Sequence, residues 1–337
     1  MHRPLIRLLF IQALMFATVA VARPATACDI PVFRYALERW KQDSCDVVVF
    51  FDGKMSKGDR LAIDVWRAAS QGGGANIKVI EADVRSLEDD ELNELWKSTR
   101  ENAKSPLKLP HVVVRTKVGQ GKTISHFEGP LEKIGLENLL LSPARKELRS
   151  RLLAGHSIVW IMLKSPDEEK NKAVRERLEK QFKSLAKNIE LPDGIGLPGS
   201  ELYAEVPLLI KFSLLEINPI DPNERFLVDL LSSFKPVAVQ NGDPLLAPVF
   251  GRGRVLEVLS ADECKAAMVE DMTVFLSGPC SCQVKSLNPG FDLLLPANWH
   301  FDLFGETGET PPDRSDAEGK NKPPVLLPIP PGRKKKK

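Results

Sequence analysis

Thiols, imidazoles, carboxylates and guanidinium groups carry most protein chemistry, and the most suggestive spacing of them in this sequence is Gly278-Pro-Cys-Ser-Cys-Gln-Val284. A Cys-x-Cys pair can close a small strained disulfide, and strain makes such a bond more oxidising. Cys280 and Cys282 are therefore a candidate pair for disulfide exchange with a partner. The blander alternative is a structural disulfide that ties one of them to Cys28, to Cys45 or to the other. Cys264 falls on the apolar side of a helical pattern and is expected in the core. Zinc would need two more ligands, and beyond His300 no second pair has ligand spacing, so neither a metal nor a cofactor is expected.

Other candidates are weaker. Phe250-Gly-Arg-Gly-Arg254 sets Arg252 and Arg254 on a glycine turn, where they would hold a carboxylate or phosphate by bidentate contacts or else sit at an exposed hairpin tip. Gly119-Gln-Gly-Lys-Thr123 looks like the end of a phosphate loop. The first glycine of such a loop would fall at Thr116, however, and the segment lies in a hairpin turn instead of ahead of a helix. Asp46 and Asp52 lack the Asp-x-Asp spacing of a phosphatase pair. His111, His126, His156 and His300 are scattered, and no Ser-His-Asp arrangement can be read from their order.

The elements that position these groups begin with a leader. Arg3 and Arg7 precede an apolar run, Leu8 to Ala22, of the length of a signal-peptide core and short for a membrane span. Two A-x-A sites predict cleavage after Ala22 or Ala27, and the second would leave Cys28 first, a placement that resembles a bacterial lipoprotein box with Cys28 lipidated. Whether the leader is cleaved, lipidated or kept as an uncleaved anchor, the folded part is expected outside the cytoplasm, periplasmic or envelope-associated, where cysteines can oxidise. The 337 residues suffice for two ordinary domains. Lys and Arg total 47 against 45 Asp and Glu, with basic clusters at the two ends, so no broad nucleic-acid face is expected. The terminal Arg333 to Lys337 is expected to be drawn weakly to anionic membrane or wall.

Hydrophobic periodicity gives two cycles. The first reads as a helix with Phe33, Leu37 and Trp40, a strand Asp46 to Phe51, a helix from Ser56, a strand Ile77 to Val84, a helix Leu87 to Arg100, strands His111 to Arg115 and Thr123 to Phe127, and a helix Leu136 to Leu153. The second reads as a strand His156 to Leu163, a helix capped by Ser165, a strand Pro207 to Ile217, a helix Pro222 to Ser233, strands Pro248 to Phe250 and Arg254 to Leu259, and a helix after a Ser260/Glu263 capping box. From Gly305 the composition turns to Pro, Gly and charge, which predicts a disordered tail of polyproline character.

This order, a βαβ unit followed by βα, a hairpin and a closing helix, resembles the thioredoxin fold in both halves. The resemblance implies an α/β chain of two tandem thioredoxin-like domains, with central mixed sheets flanked by helices. Residues 1–27 would be the signal peptide, 28–155 domain 1 with its N-terminal helix, 156–304 domain 2, and 305–337 the tail. It also sets Pro110 and Pro248 at the family's proline, usually cis, that begins the third core strand. Where the family's Cys-x-x-Cys would stand, the sequence has Asp52-Gly-Lys-Met-Ser-Lys57 and Lys164-Ser-Pro-Asp-Glu168. The resemblance thus implies an exported bacterial-type, non-catalytic binding or scaffold protein whose partner is another envelope protein. The alternatives are a thiol-disulfide oxidoreductase using Cys280 and Cys282, and an accessory subunit of a membrane complex anchored by lipid at Cys28.

Overall fold

The computed structural model describes residues 28–312 apart from 72–73, 120, 135–138, 141, 282–283 and 307. The leader, the tail beyond residue 312 and Cys282 lie outside the described residues. The first cycle is α1 (Val32–Arg39), β1 (Cys45–Phe51), α2 (Lys57–Ser70), β2 (Ile77–Asp83), α3 (Asp90–Asn102), β3 (His111–Lys117), β4 (Thr123–Pro130) and α4 (Pro143–Leu153). The second is β5 (Ile158–Leu163), α5 (Glu168–Asn188), β6 (Phe212–Ile217), α6 (Arg225–Phe234), α7 (Pro236–Gln240), β7 (Leu245–Phe250), β8 (Arg254–Val255), β9 (Leu259–Ser260) and α8 (Ala266–Ser277), followed by β10 (Phe291–Asp292) and α9 (Trp299–Phe304). Among the described residues no helix is long and apolar enough to cross a membrane.

The first sheet runs β2-β1-β3-β4, with β1 parallel to β2 and antiparallel to β3. The second repeats this as β6-β5-β7-β8, with β10 added beyond β8 and β9 pairing β7. Both are mixed sheets flanked by helices, compatible with two thioredoxin-like domains. Their central strands are apolar on both faces, and the two faces enter different layers. Val47 and Val49 point toward the second sheet, while Val48 and Phe50 point toward α3. In β5, Val159 and Ile161 face inward, and Ile158 and Trp160 face the layer of α1, α5 and α8.

Five layers result. α3 covers the outer face of the first sheet; α2, α4 and α6 fill the space between the sheets; and α1, α5 and α8 cover the far face of the second. The middle layer is one continuous core that joins Trp66, Leu148, Phe226 and Leu230 of its helices to the inner residues of both sheets. α1 precedes β1 in the chain, yet its contacts are with β7 and α8 of the second sheet. Its entry is a short antiparallel bridge, Pro31 opposite Pro279, flanked by Val32 N–H to Gly278 O at 3.0 Å and Cys280 N–H to Ile30 O at 2.9 Å. The two prolines occupy the one position of that bridge where no N–H is required.

α1 is held by charge as well as by apolar contact. Arg34, 2% exposed, donates from Nε to Glu38 Oε1 at 2.7 Å, from Nη1 to Val206 O at 2.7 Å and from Nη2 to Ala204 O at 2.6 Å. Glu38 in turn accepts from the backbone N–H of Tyr203 at 3.1 Å and of Ala204 at 3.3 Å. The 203–206 segment is thereby sewn to the helix. Arg34→Met takes from the buried Glu38 carboxylate one of its two guanidinium partners, leaving Arg39 at 2.9 Å, and removes the donor to the Ala204 and Val206 carbonyls, so it is expected to destabilise the chain by roughly 2–3 kcal/mol. Urea unfolding checks this, and a loss below about 1 kcal/mol, the scale of an exposed pair, would refute the role given to the pair.

Candidate functional site

The carboxyl ends of β1 and β5, where a thioredoxin-like dithiol would lie, are closed by other chemistry. After β1 the chain turns at Gly53, whose φ of 71° suits glycine, and a Cβ there would meet the Arg85 guanidinium at 2.6 Å. Arg85 pairs with Asp83 at 2.7 Å and Asp52 at 3.3 Å, and its hydrogen bonds hold the Asp83 carboxyl well below the usual carboxylate range. Ser56 then caps α2 in a reciprocal box with Asp59: Asp59 N–H donates to Ser56 Oγ at 3.1 Å and Ser56 N–H to Asp59 Oδ2 at 3.2 Å.

After β5 the cap is Asp167, which accepts from the N–H groups of Glu169 and Lys170. Ser165, the expected cap, lies two residues earlier and accepts from Asp167 N–H at 3.1 Å, while its own backbone is held by Asn171. Glu168 is hydrogen-bonded by Asn171, Lys164 and Arg175, which brings its pKa down to about 2. Pro110 immediately precedes β3, and the Leu109–Pro110 bond is cis. Pro248 does not stand at the matching place. It lies inside β7 opposite Trp160, and the residue that precedes β7 is Pro244.

The described cysteines are all buried. Burial pushes the Cys45 thiol up to about 12 and the Cys264 thiol up to about 11, so both are protonated and poor nucleophiles at neutral pH. Cys264 is fully enclosed in the core beside α8, as expected, but it lies in the turn ahead of the helix, which begins at Ala266 and not at the Ser260/Glu263 pair. Cys280 is 2% exposed and held by its backbone to Ile30. Cys28 is 5% exposed in that same core.

Arg252 and Arg254 are occupied internally and do not form an open hairpin tip. Arg252 donates from Nε to Leu37 O at 2.7 Å and from Nη2 to Glu38 O at 2.8 Å, closing the carbonyl end of α1, and burial pulls its pKa down to about 10. Arg254 donates to Pro289 O at 3.1 Å, Asn288 O at 3.0 Å and Asp292 Oδ1 at 3.1 Å, and lies 5.8 Å over Trp40. The turn that carries them is pressed so closely on α1 that a Cβ at Gly251 would come within 2.7 Å of Ala36 Cβ.

One arrangement had no sequence signal. A register shift between Val114 and Arg115 leaves His126 as the extra residue of a bulge in β4, and bulges re-aim side chains. His126 Nε2 lies 2.9 Å from Thr116 Oγ1, which is 3.5 Å from Cys45 Sγ, and the ring meets Phe226 edge-on at 4.8 Å. Burial brings its pKa down to about 3. A cavity of about 300 Å³ beside it lies between α3 and the first sheet, lined by Leu95, Ser98 and Asn102 of the helix and Val113 of β3.

No family model matches the chain, and no curated protein matches it. Among solved structures, the first two thioredoxin domains of Naumovozyma dairenensis Eps1p are 15% identical with a TM-score of 0.21, covering 69% of this chain and 91% of that one. Full-length ERdj5 is 11% identical with a TM-score of 0.20, covering 77% of this chain, which spans 33% of ERdj5. TM-scores of this size carry no argument about this chain, whose fold class rests on its own strand order.

Two outcomes follow from these environments. In native buffer, Cys45 and Cys264 are expected to react with an aromatic disulfide reagent at least about a hundredfold more slowly than in urea, since the thiolate is rare and access needs opening. Comparable native and denatured rates would contradict the burial. Burial lowers His126 to about 3 and His156 to about 4, so between pH 7 and 5 the unfolded chain binds more protons than the folded one and stability falls with pH. The urea midpoint should drop over that interval and drop less in His126→Gln; an unchanged slope would show that His126 is not shielded.

Proposed function

We propose that the chain is an exported protein of two tandem thioredoxin-like domains without the catalytic dithiol, acting as a binding or scaffold module of the cell envelope. The observation that carries this reading is the occupancy of the two helix starts. Ser56 with Asp59 and Asp167 with Asn171 and Ser165 fill the sites at which a reactive thiolate would need free amides. Export rests on the basic start, apolar run and A-x-A sites of the leader. The terminal Arg333 to Lys337 adds attraction to anionic membrane or wall.

The rival oxidoreductase would work through Cys280 and Cys282, and the depth of Cys280 weighs against it, because exchange requires access for an attacking thiolate. Anchoring by lipid at Cys28 would require the sulfur to leave the core beside α8. A turnover assay decides between scaffold and enzyme: reduction of insulin disulfides by dithiothreitol, with and without the full mature chain. The scaffold reading expects no acceleration over dithiothreitol alone and no difference between the chain and its Cys280→Ser/Cys282→Ser variant. Acceleration that disappears in the variant would overturn it.

A further inference from the structure

α8 is apolar on two sides. Val269, Met272 and Leu276 face the core, and on the outward side Met268 is 38%, Val274 53% and Phe275 41% exposed. A helix that is apolar all round is ordinarily covered all round. The outward stripe is broken by exposed Asp271, three residues from both Met268 and Val274, and is bordered by exposed Glu270, one turn before Val274. An apolar surface with one carboxylate set in it and a second at its edge suits an extended segment that is itself apolar and then strongly basic.

This chain carries such a segment beyond the described residues. Val325-Leu-Leu-Pro-Ile-Pro-Pro331 is followed by Arg333 to Lys337. The chain leaves the fold within reach of α8. Leu303 of α9 accepts from Glu205 N–H at 3.3 Å, the neighbouring carbonyls of Ala204 and Val206 hold Arg34 of α1, and Val32 at the start of α1 donates to Gly278 at the end of α8. The exit and the Val274/Phe275 end of α8 are thus separated by α1 and one loop. The thirteen residues from Asp313 to Val325 extend to about 40 Å, more than the width of one helix and a loop.

We propose that the segment Pro323 to Lys337 docks on the outward face of α8 of its own chain, its aliphatic residues on Met268, Val274 and Phe275 and its basic end on Glu270 and Asp271. Docking covers the apolar stripe and occupies the basic cluster that would otherwise meet an anionic surface.

Zero-length carbodiimide coupling of the full mature chain at low salt, with peptide mapping of the monomer fraction, tests this. Amide links between Glu270 or Asp271 and Lys334 to Lys337 are expected, with yield falling roughly fivefold in 0.5 M salt as charges are screened. A similar fall, about fivefold, is expected for Phe275→Ser, which removes a half-exposed apolar contact. Its urea midpoint should stay at the wild-type value, so that lost coupling is not lost folding. Links confined to dimers would mean that a second copy occupies the face and would overturn the proposal. So would an absence of links to α8 in a chain that still floats with anionic phosphatidylglycerol vesicles, since the tail would then serve the membrane alone.

Discussion

The buried pair of Arg34 and Glu38 is the constraint on which the arrangement of the two sheets turns. A guanidinium at 2% exposure is tolerable only when its donors are taken up, and here they go to a carboxylate one turn on and to two carbonyls of the 203–206 segment. Glu38 returns the bond by accepting from two amides of that segment. Arg252 then closes the carbonyl end of the same helix from the β7–β8 turn. An eight-residue helix that would be marginal alone is thus fixed from three directions, and it carries the chain from the second sheet's outer layer into β1 of the first.

That route makes the two halves interdependent. α4 ends the first cycle, yet it packs on β5 and β6, and α6 belongs to the second cycle but packs on β4. Ala144 N–H donates to Glu224 at 2.7 Å, and buried Arg145 lies 4.8 Å over Phe226, so polar and aromatic contacts cross the middle layer as well. With a shared core and a helix exchanged at the N-terminal side, separate cooperative unfolding of the halves would have to expose one face of every middle-layer helix. A single transition is the cheaper course for this architecture.

The longer strands and their order were legible because burial on both faces leaves continuous apolar runs such as Val47 to Phe50 and Ile158 to Leu163, and because Ser56 with Asp59 is a purely local cap; the expected strand Arg254 to Leu259 is instead split into β8 and β9, and two-residue β10 leaves no such run. What escaped the sequence was tertiary. The pattern of Phe33, Leu37 and Trp40 marks one apolar face of α1, but nothing local reveals that Arg34 and Glu38 are buried too or that the helix belongs against the second sheet. The shift of the cap from Ser165 to Asp167 depends on Asn171 reaching back to Ser165, and the placement of Pro248 within β7 depends on pairing with β5. The arginines of the glycine turn looked free because their acceptors, Leu37 and Glu38 in one case and Asn288, Pro289 and Asp292 in the other, are distant in sequence.

The ends of β1 and β5 show a further regularity. A helix N-terminus presents unpaired amides and a partial positive charge, and it favours an anion close by. In a dithiol enzyme that anion is a thiolate, which is reactive because it is only lightly satisfied. Here fixed carboxylates answer the same demand: Asp59 at α2, and Asp167 with Glu168 at α5, the latter also hydrogen-bonded by Asn171 and paired to Lys164 and Arg175. Each amide so occupied is unavailable to a neighbouring sulfur. Placing cysteines in these loops would therefore not recreate the redox chemistry while the caps remain, because the electrostatic work of lowering a thiol pKa is already spent on carboxylates that need no activation.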